Sequence, residues 1–239
     1  MEEFKFNNLM IKYLKVLEIK LDDVQLNMFY KYMNTLIEWN KVMNLTRIIT
    51  PEEIIIKHFV DSLTVLKKVN QTDKIIDVGT GAGFPGIPIK IAFPKTKVIL
   101  LDSLKKRINF LDEVIKQLNL TDIATIHGRA EDYGKDKKHR EAYDIAIARA
   151  VAPLNILAEY LIPFVKIQGK CICMKGANID NETKQSEKAI EILGGKLIEA
   201  KEFFIPETDI KRKIIEIIKA NKTDKGYPRK SGIPTKHPL

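Results

Sequence analysis

Ile75-Ile76-Asp77-Val78-Gly79-Thr80-Gly81-Ala82-Gly83-Phe84-Pro85-Gly86 reads as a short β-branched strand running into a glycine turn that opens a helix. Glycines let the backbone turn tightly and approach a ligand closely, while amides at the helix start can donate hydrogen bonds. A side chain at Gly79 or Gly81 would occupy the ligand's space. Further on, Asp102 closes the second predicted strand, where a carboxylate can accept both hydroxyls of a ribose. The stretch is a nucleotide-cradling loop. Because Gly81, Gly83 and Gly86 also fit the G-x-G-x-x-G fingerprint, a nicotinamide oxidoreductase stays open beside a methyltransferase. Asp77 favours the second: a carboxylate two residues before the first glycine repels a pyrophosphate, whereas S-adenosylmethionine brings a cationic methionine end. Asp77, Gly79, Gly81, Gly83 and Asp102 are the cofactor-binding candidates read from the residues themselves.

Outward from the loop, short β-branched runs alternate with helical segments, the pattern of a parallel sheet with crossover helices. Strands are predicted at residues 75–78, 98–102, 124–127, 144–148 and 170–174, with helices near 87–93, 103–118, 154–165 and 182–193. Two further runs, 196–205 and 213–220, follow Gly194-Gly195 and predict an antiparallel, hairpin-like end to the sheet. The fold expected is α/β: a doubly wound, mostly parallel seven-stranded sheet, Rossmann-like, with an N-terminal helical extension over 1–70, the cofactor domain over 71–225 and a basic Pro/Gly-rich tail over 226–239. In the extension, Leu26, Phe29, Tyr30, Met33, Leu36 and Ile37 make one helical face behind Asp22-Asp23, and Thr50-Pro51-Glu52-Glu53 starts a third helix with an N-cap hydroxyl, an N1 proline and a capping-box glutamate. The tail is expected to lack regular structure.

The chain has 239 residues, 45% hydrophobic and 30% charged, with no apolar run near the roughly 20 residues that span a bilayer. No membrane partner and no secretory signal are expected, which places the protein in the cytoplasm. Cys171 and Cys173 lie two apart in a predicted strand, share one face, and read as core; no metal site is expected. The formal charge of +9 favours a polyanionic partner, and residues 221–239 hold 5 Lys/Arg against 1 Asp/Glu, so the tail is disproportionately basic.

The end of the fourth strand, Ala148-Arg149-Ala150, is where the methyl group of such an enzyme is transferred. No Asn/Asp-Pro-Pro-aromatic motif is present, which argues against exocyclic amines, and mid-strand cysteines argue against carbon-5 pyrimidine chemistry. An acceptor nucleophilic in its neutral form remains, such as guanine N7, which needs positioning more than acid–base work. Arg149 could hold RNA phosphate or a guanine edge, or be a strand-end salt bridge. Lys175, at the end of the fifth strand, is expected at the same rim; Arg149 and Lys175 are the catalytic candidates. Lys105-Lys106-Arg107 read as a solvated helix face that could guide RNA, and His58 and Asp61, three apart, as a helix-packing or capping pair.

Together with Trp39-Asn40-Lys41, Asn44-Leu45-Thr46, His58 to Leu63, Gly128 to Glu131, Met174-Lys175-Gly176 and Tyr227 to Pro234, these motifs run across nearly the whole chain. The sequence resembles the bacterial 16S ribosomal RNA guanine-N7 methyltransferases, the glucose-inhibited division protein B family of class I enzymes. The resemblance implies a cytoplasmic enzyme, S-adenosylmethionine as cofactor, and N7 of one guanine in the decoding-region loop of the small ribosomal subunit as acceptor. It implies cofactor contacts from Gly79, Phe84, Asp102, Ser103, Leu104, Ala130, Glu131 and Arg149. It places Arg129, Lys175, Asn40, Asn44, Arg47, Arg229 and Lys230 on the RNA face, in what is expected to be a monomer. An RNA-binding module with an inactive pocket is the other reading carried forward.

Overall fold

Strand alternation sorts the core into two layers. The computed structural model describes all residues but 150 and 177–179, and the backbone alone at 180 and 181. Its seven strands, β1 (Lys74–Val78), β2 (Lys97–Asp102), β3 (Ile123–His127), β4 (Tyr143–Arg149), β5 (Val165–Gly176), β6 (Gly195–Phe204) and β7 (Lys211–Lys219), form one sheet in the order β3-β2-β1-β4-β5-β7-β6. The first five are parallel and β7 runs antiparallel between β5 and β6. The hairpin-like end thus lies where the two strand-like runs after Gly194 predict it.

Successive side chains leave a strand on opposite faces. Ile75, Leu100, Ile145, Ile147, Ile172 and Met174 therefore join one buried cluster, and Ile76, Leu101, Ala146, Ala148, Cys171 and Cys173 the other. Both cysteines are free and buried, and burial pushes the Cys173 thiol up to about 12; they are core.

The N-terminal helices cover the first face. Helices Glu3–Leu17 and Asp23–Met43 share its cluster through Phe6, Met10, Phe29, Tyr32, Met33 and Leu36. Asp22 and Gln25 make a complete capping box at the start of the second. The third helix starts at Thr50, whose hydroxyl accepts from the Glu53 amide. It runs as α-helix over Pro51–Ile54, widens to a π-helix over Ile55–Val60, and closes as α-helix over Asp61–Leu63. Helices Leu154–Leu161 and Asp180–Ile192 cover the opposite face.

The tail departs from the expectation of no regular structure. It contains a helical turn, Ile233–Lys236, and Pro228 and Pro234 are buried, because side chains beneath it supply partners for its backbone.

Candidate active site

Strand order reverses between β1 and its neighbours β2 and β4, so a crevice opens at their carboxyl ends. A cleft of about 770 Å³ lies there, between the glycine loop and the segment Leu45–Ile48 of the N-terminal region. Past Asp102 it adjoins a recess of about 90 Å³ walled by Gly128, Arg129, Ala130, Glu131 and Tyr160. Asp102, Ser103 and Gly79 line both.

The loop is built by its own side chains. Gly79 and Gly81 have φ of +69° and +65°, in the left-handed region that disfavours a β-carbon. A β-carbon on Gly81 would meet nothing within 4 Å and stand in the open cleft, whereas one on Gly83 would lie 2.6 Å from the Tyr32 hydroxyl oxygen. Gly83 lines neither cavity; it lets the second helix close on the loop, where Tyr32 donates to the Ala82 carbonyl. Gly83, expected among the cofactor contacts, is thus placed against the second helix.

Asp77, the other expected contact behind the loop, is likewise turned away from the cleft. Even-numbered β1 residues face one way and Asp77 the other, under the helix Gly86–Ala92. It is fully buried, lines neither cavity, and its Oδ2 accepts from Thr80 Oγ1 at 2.7 Å and the Gly86 amide at 2.8 Å. Its Oδ1 has no partner. Burial raises its carboxyl to about 7, against the opposing pull of Thr80, Gly86 and Arg149. Its contacts are those of a clamp for the loop rather than of a direct partner for a sulfonium.

Asp102 stands where a ribose would need it, on the wall shared by cleft and recess. Its carboxylate accepts from the Gly81 amide (2.9 Å), the Leu104 amide (2.9 Å) and Arg107 Nη1 (3.1 Å). Leu104 contributes that amide; its side chain is 43% exposed and lines neither cavity. Arg107, read as part of a solvated face, is an ion-pair partner of Asp102.

Arg149 is the most constrained cation of the cleft. Strand parity puts it on the face of the N-terminal helices, and Nη1 donates to the Lys57 carbonyl (3.0 Å) and Asp61 Oδ2 (3.1 Å). Nη2 lies 2.9 Å from His58 Nδ1, and the guanidinium sits 4.9 Å from the Phe84 ring centre. Phe84 stacks on His58 at 4.3 Å. Since a guanidinium only donates, Nδ1 is the acceptor and Nε2–H donates to Thr46 Oγ1 at 3.1 Å. Burial, then the Arg149 charge, lowers the His58 imidazole to about 3, so it stays neutral. His58 and Asp61, expected to be a packing pair, instead hold Arg149 jointly; Asp61 also accepts from Arg212 Nε at 3.1 Å.

Lys175 and Arg149 border one cavity, as expected, but leave the sheet on opposite faces. Arg149 pairs in register with Met174, so the next residue leaves the sheet on the opposite face. There its ammonium donates to the Ala152 carbonyl (2.6 Å) and pairs with Glu182 (2.6 Å). It nonetheless lines, together with Arg149, His58, Lys57, Asp61 and Arg212, a cavity of about 340 Å³ that adjoins the cleft.

The expected RNA face divides likewise. Asn40 is used internally, its amide clamping both backbone groups of Thr46 (2.9 Å each), and Asn44 is the left-handed C-cap of the second helix. Arg229 is locked to buried Glu159. Arg47, Arg129 and Lys230 are exposed. Position 150 of Ala148-Arg149-Ala150 lies outside the described residues.

Residues 25–214 match the rRNA small subunit methyltransferase G (GidB) family. The chain belongs to that family. Ribosomal RNA small subunit methyltransferase G of Acetivibrio thermocellus is 52% identical over 239 residues, covering 100% of this chain and 98% of the relative. The protein of that name from Clostridium botulinum is 47% identical over 98% of this chain and 99% of its own. The fold is shared with Aeropyrum pernix fibrillarin bound to S-adenosyl-L-methionine (TM-score 0.52, 16% identity, 66% of this chain and 73% of that one). It is shared too with M. jannaschii TYW2 in complex with AdoMet (0.51, 17%, 66% and 74%). As a GidB-family member, the chain is an S-adenosylmethionine-dependent rRNA methyltransferase. The residues present fit that cofactor: the side-chain-free face of Gly81 opens into the cleft, and Asp102 joins a large cavity to a small recess.

Proposed function

We propose that the enzyme methylates N7 of a guanine in the decoding-region loop of 16S ribosomal RNA, acting in the cytoplasm as a monomer. The observation that carries this reading is the lack of a free base in the cleft. Among its described lining residues the groups able to take a proton are His58 and Asp102. His58 has both ring nitrogens engaged and resists protonation; Asp102 holds two amides and Arg107. An acceptor that must lose a proton before attack finds no helper here, whereas guanine N7 attacks with a lone pair already in place.

S-adenosylmethionine, when bound, supplies an electrophilic methyl group on a sulfonium. Asp102 would orient the ribose, Gly79 and Gly81 let the backbone close on the cofactor, and Ala130 and Glu131 border its adenosine half. Arg149, fixed on four sides, would position the acceptor, because a few tenths of an ångström matter in an in-line displacement. Arg47 and Arg129, flanking the cleft and recess, would take RNA phosphates.

The test is mass spectrometry of 16S ribosomal RNA from cells with and without the gene, followed by treatment of the deficient subunits and naked RNA with purified enzyme. The reading expects one 7-methylguanosine to vanish and to be restored in vitro. Methyl transfer to an exocyclic amine or to carbon would overturn it. A nicotinamide oxidoreductase or an inactive module would leave the RNA unmethylated.

A further inference from the structure

Residues 221–239 hold 5 Lys/Arg against 1 Asp/Glu, yet the arginine among them faces inward. Glu159 is fully buried, and Arg229 answers it with its own amide (2.7 Å), Nε (3.0 Å) and Nη2 (2.7 Å). A buried carboxylate leaves water at a cost that only such multiple donation offsets. Arg140 fastens the approach to this point, donating to the carbonyls of Gly134, Thr223, Asp224 and Tyr227.

Beyond Arg229 the tail crosses directly behind the small recess. The Gly232 amide donates to Glu131 Oε1 at 3.0 Å, Ser231 Oγ to Asp132 at 3.1 Å, and Thr235 Oγ1 lies 3.0 Å from the Tyr160 hydroxyl. Glu131 and Tyr160 are two walls of that recess. Glu131 is 4% exposed and accepts from the Gly232 amide, so the direction of its carboxylate is set from the tail.

We propose that residues 229–236 form a strap that positions Glu131 and Tyr160 and thereby sets affinity for the adenosine half of the cofactor, instead of gripping RNA. The inference rests on the reading that this half occupies the Glu131 recess. Arg229, Ser231 and Thr235 touch no reacting atom; they are positioning residues, and side chains held by such outer contacts keep a preorganised geometry.

The experiment uses full-length Arg229→Gln, the double variant Ser231→Ala/Thr235→Val, and Glu131→Ala. It measures S-adenosylhomocysteine Kd by calorimetry, and kcat with separate KM values for S-adenosylmethionine and small-subunit RNA. Loss of a buried charge-assisted contact predicts Kd and cofactor KM raised about tenfold in Arg229→Gln, and loss of two rim hydrogen bonds about threefold in the double variant. The KM for RNA and kcat at saturating cofactor should stay within about twofold. Unchanged cofactor affinity in both tail variants while Glu131→Ala weakens it overturns the strap. A raised RNA KM with unchanged cofactor affinity does the same and restores the tail as an RNA grip. Unchanged affinity in Glu131→Ala removes the adenosine assignment itself. Should Arg229→Gln fail to fold, the double variant, altered only at exposed side chains, decides alone.

Discussion

Arg149 shows how one residue's environment fixes its chemistry. Asp61, 2% exposed, is shared between Arg149 and Arg212. Removing one partner of a buried ion pair strands the others, so Asp61→Ala should cost about 3–5 kcal/mol in urea denaturation. His58 gives a pH signature. Its folded pKa, about 3, lies below its unfolded value near 6.5. Below pH 6.5 the unfolded chain binds a proton that the folded chain refuses, so stability is full above pH 6.5 and drains as pH falls toward 3. In His58→Gln the stability difference between pH 7 and pH 5 should shrink by about 2 kcal/mol relative to the parent. Asp77 acts in the opposite sense. Its folded value of about 7 exceeds the unfolded one, so its contribution is full below pH 3.8 and lost as pH rises through 7. Asp77→Asn keeps an acceptor for Thr80 and Gly86; its stability relative to the parent should rise between pH 5 and 8, with S-adenosylhomocysteine affinity changed less than about threefold. A large loss of affinity in that variant would return the carboxylate to direct cofactor binding.

At the scale of elements, two glycines in one loop separate backbone strain from packing. A methyl at Gly81 meets open space but must adopt φ +65°, so Gly81→Ala should cost about 1–2 kcal/mol of stability and place a methyl where ligand belongs. At Gly86 φ is ordinary, but the β-carbon would come within 2.4 Å of Leu100 Cδ2 and 2.9 Å of Asp77 Oδ2. Gly86→Ala should therefore lose stability by overpacking, about 1–3 kcal/mol. Thermal melts with and without S-adenosylhomocysteine distinguish them: the ligand-induced rise in Tm should shrink more in Gly81→Ala. The π-helical turn Ile55–Val60 matters for the same reason of placement. It lies in the third helix, which presents the Lys57 carbonyl, His58 and Asp61 to one guanidinium, and wide turns of this kind recur at functional sites.

Charge is a property of the whole molecule. The net +9 does not say which cations RNA can meet: Arg107, Arg149, Lys175, Arg212 and Arg229 each pair with an acid of the protein. Exposed Arg129 is outside those pairs, and binding to an unpaired RNA loop falls with salt by about 0.7 in log–log slope per phosphate contact. Arg129→Ala should lower that slope by about 0.7 if one phosphate is lost, measured by filter binding at several salt concentrations. An unaltered slope would take Arg129 off the RNA face.

Local pattern determined the seven strands, the glycine turn, the cap at Thr50 and the core role of Cys171 and Cys173, because period-2 burial and positive-φ turns are written within a few residues. Asp102 was legible on the same ground, as the last residue of a strand. What touches what across the sheet was decided only by folding. Register set Arg149 and Lys175 on opposite faces although both end neighbouring strands; the N-terminal helices delivered His58, Asp61 and Tyr32 to a loop far along the chain; and buried Glu159 claimed an arginine expected on the RNA face. A charge's partner depends on which chain segments share low-dielectric space, and that is a property of the packed structure, which no stretch of sequence carries alone.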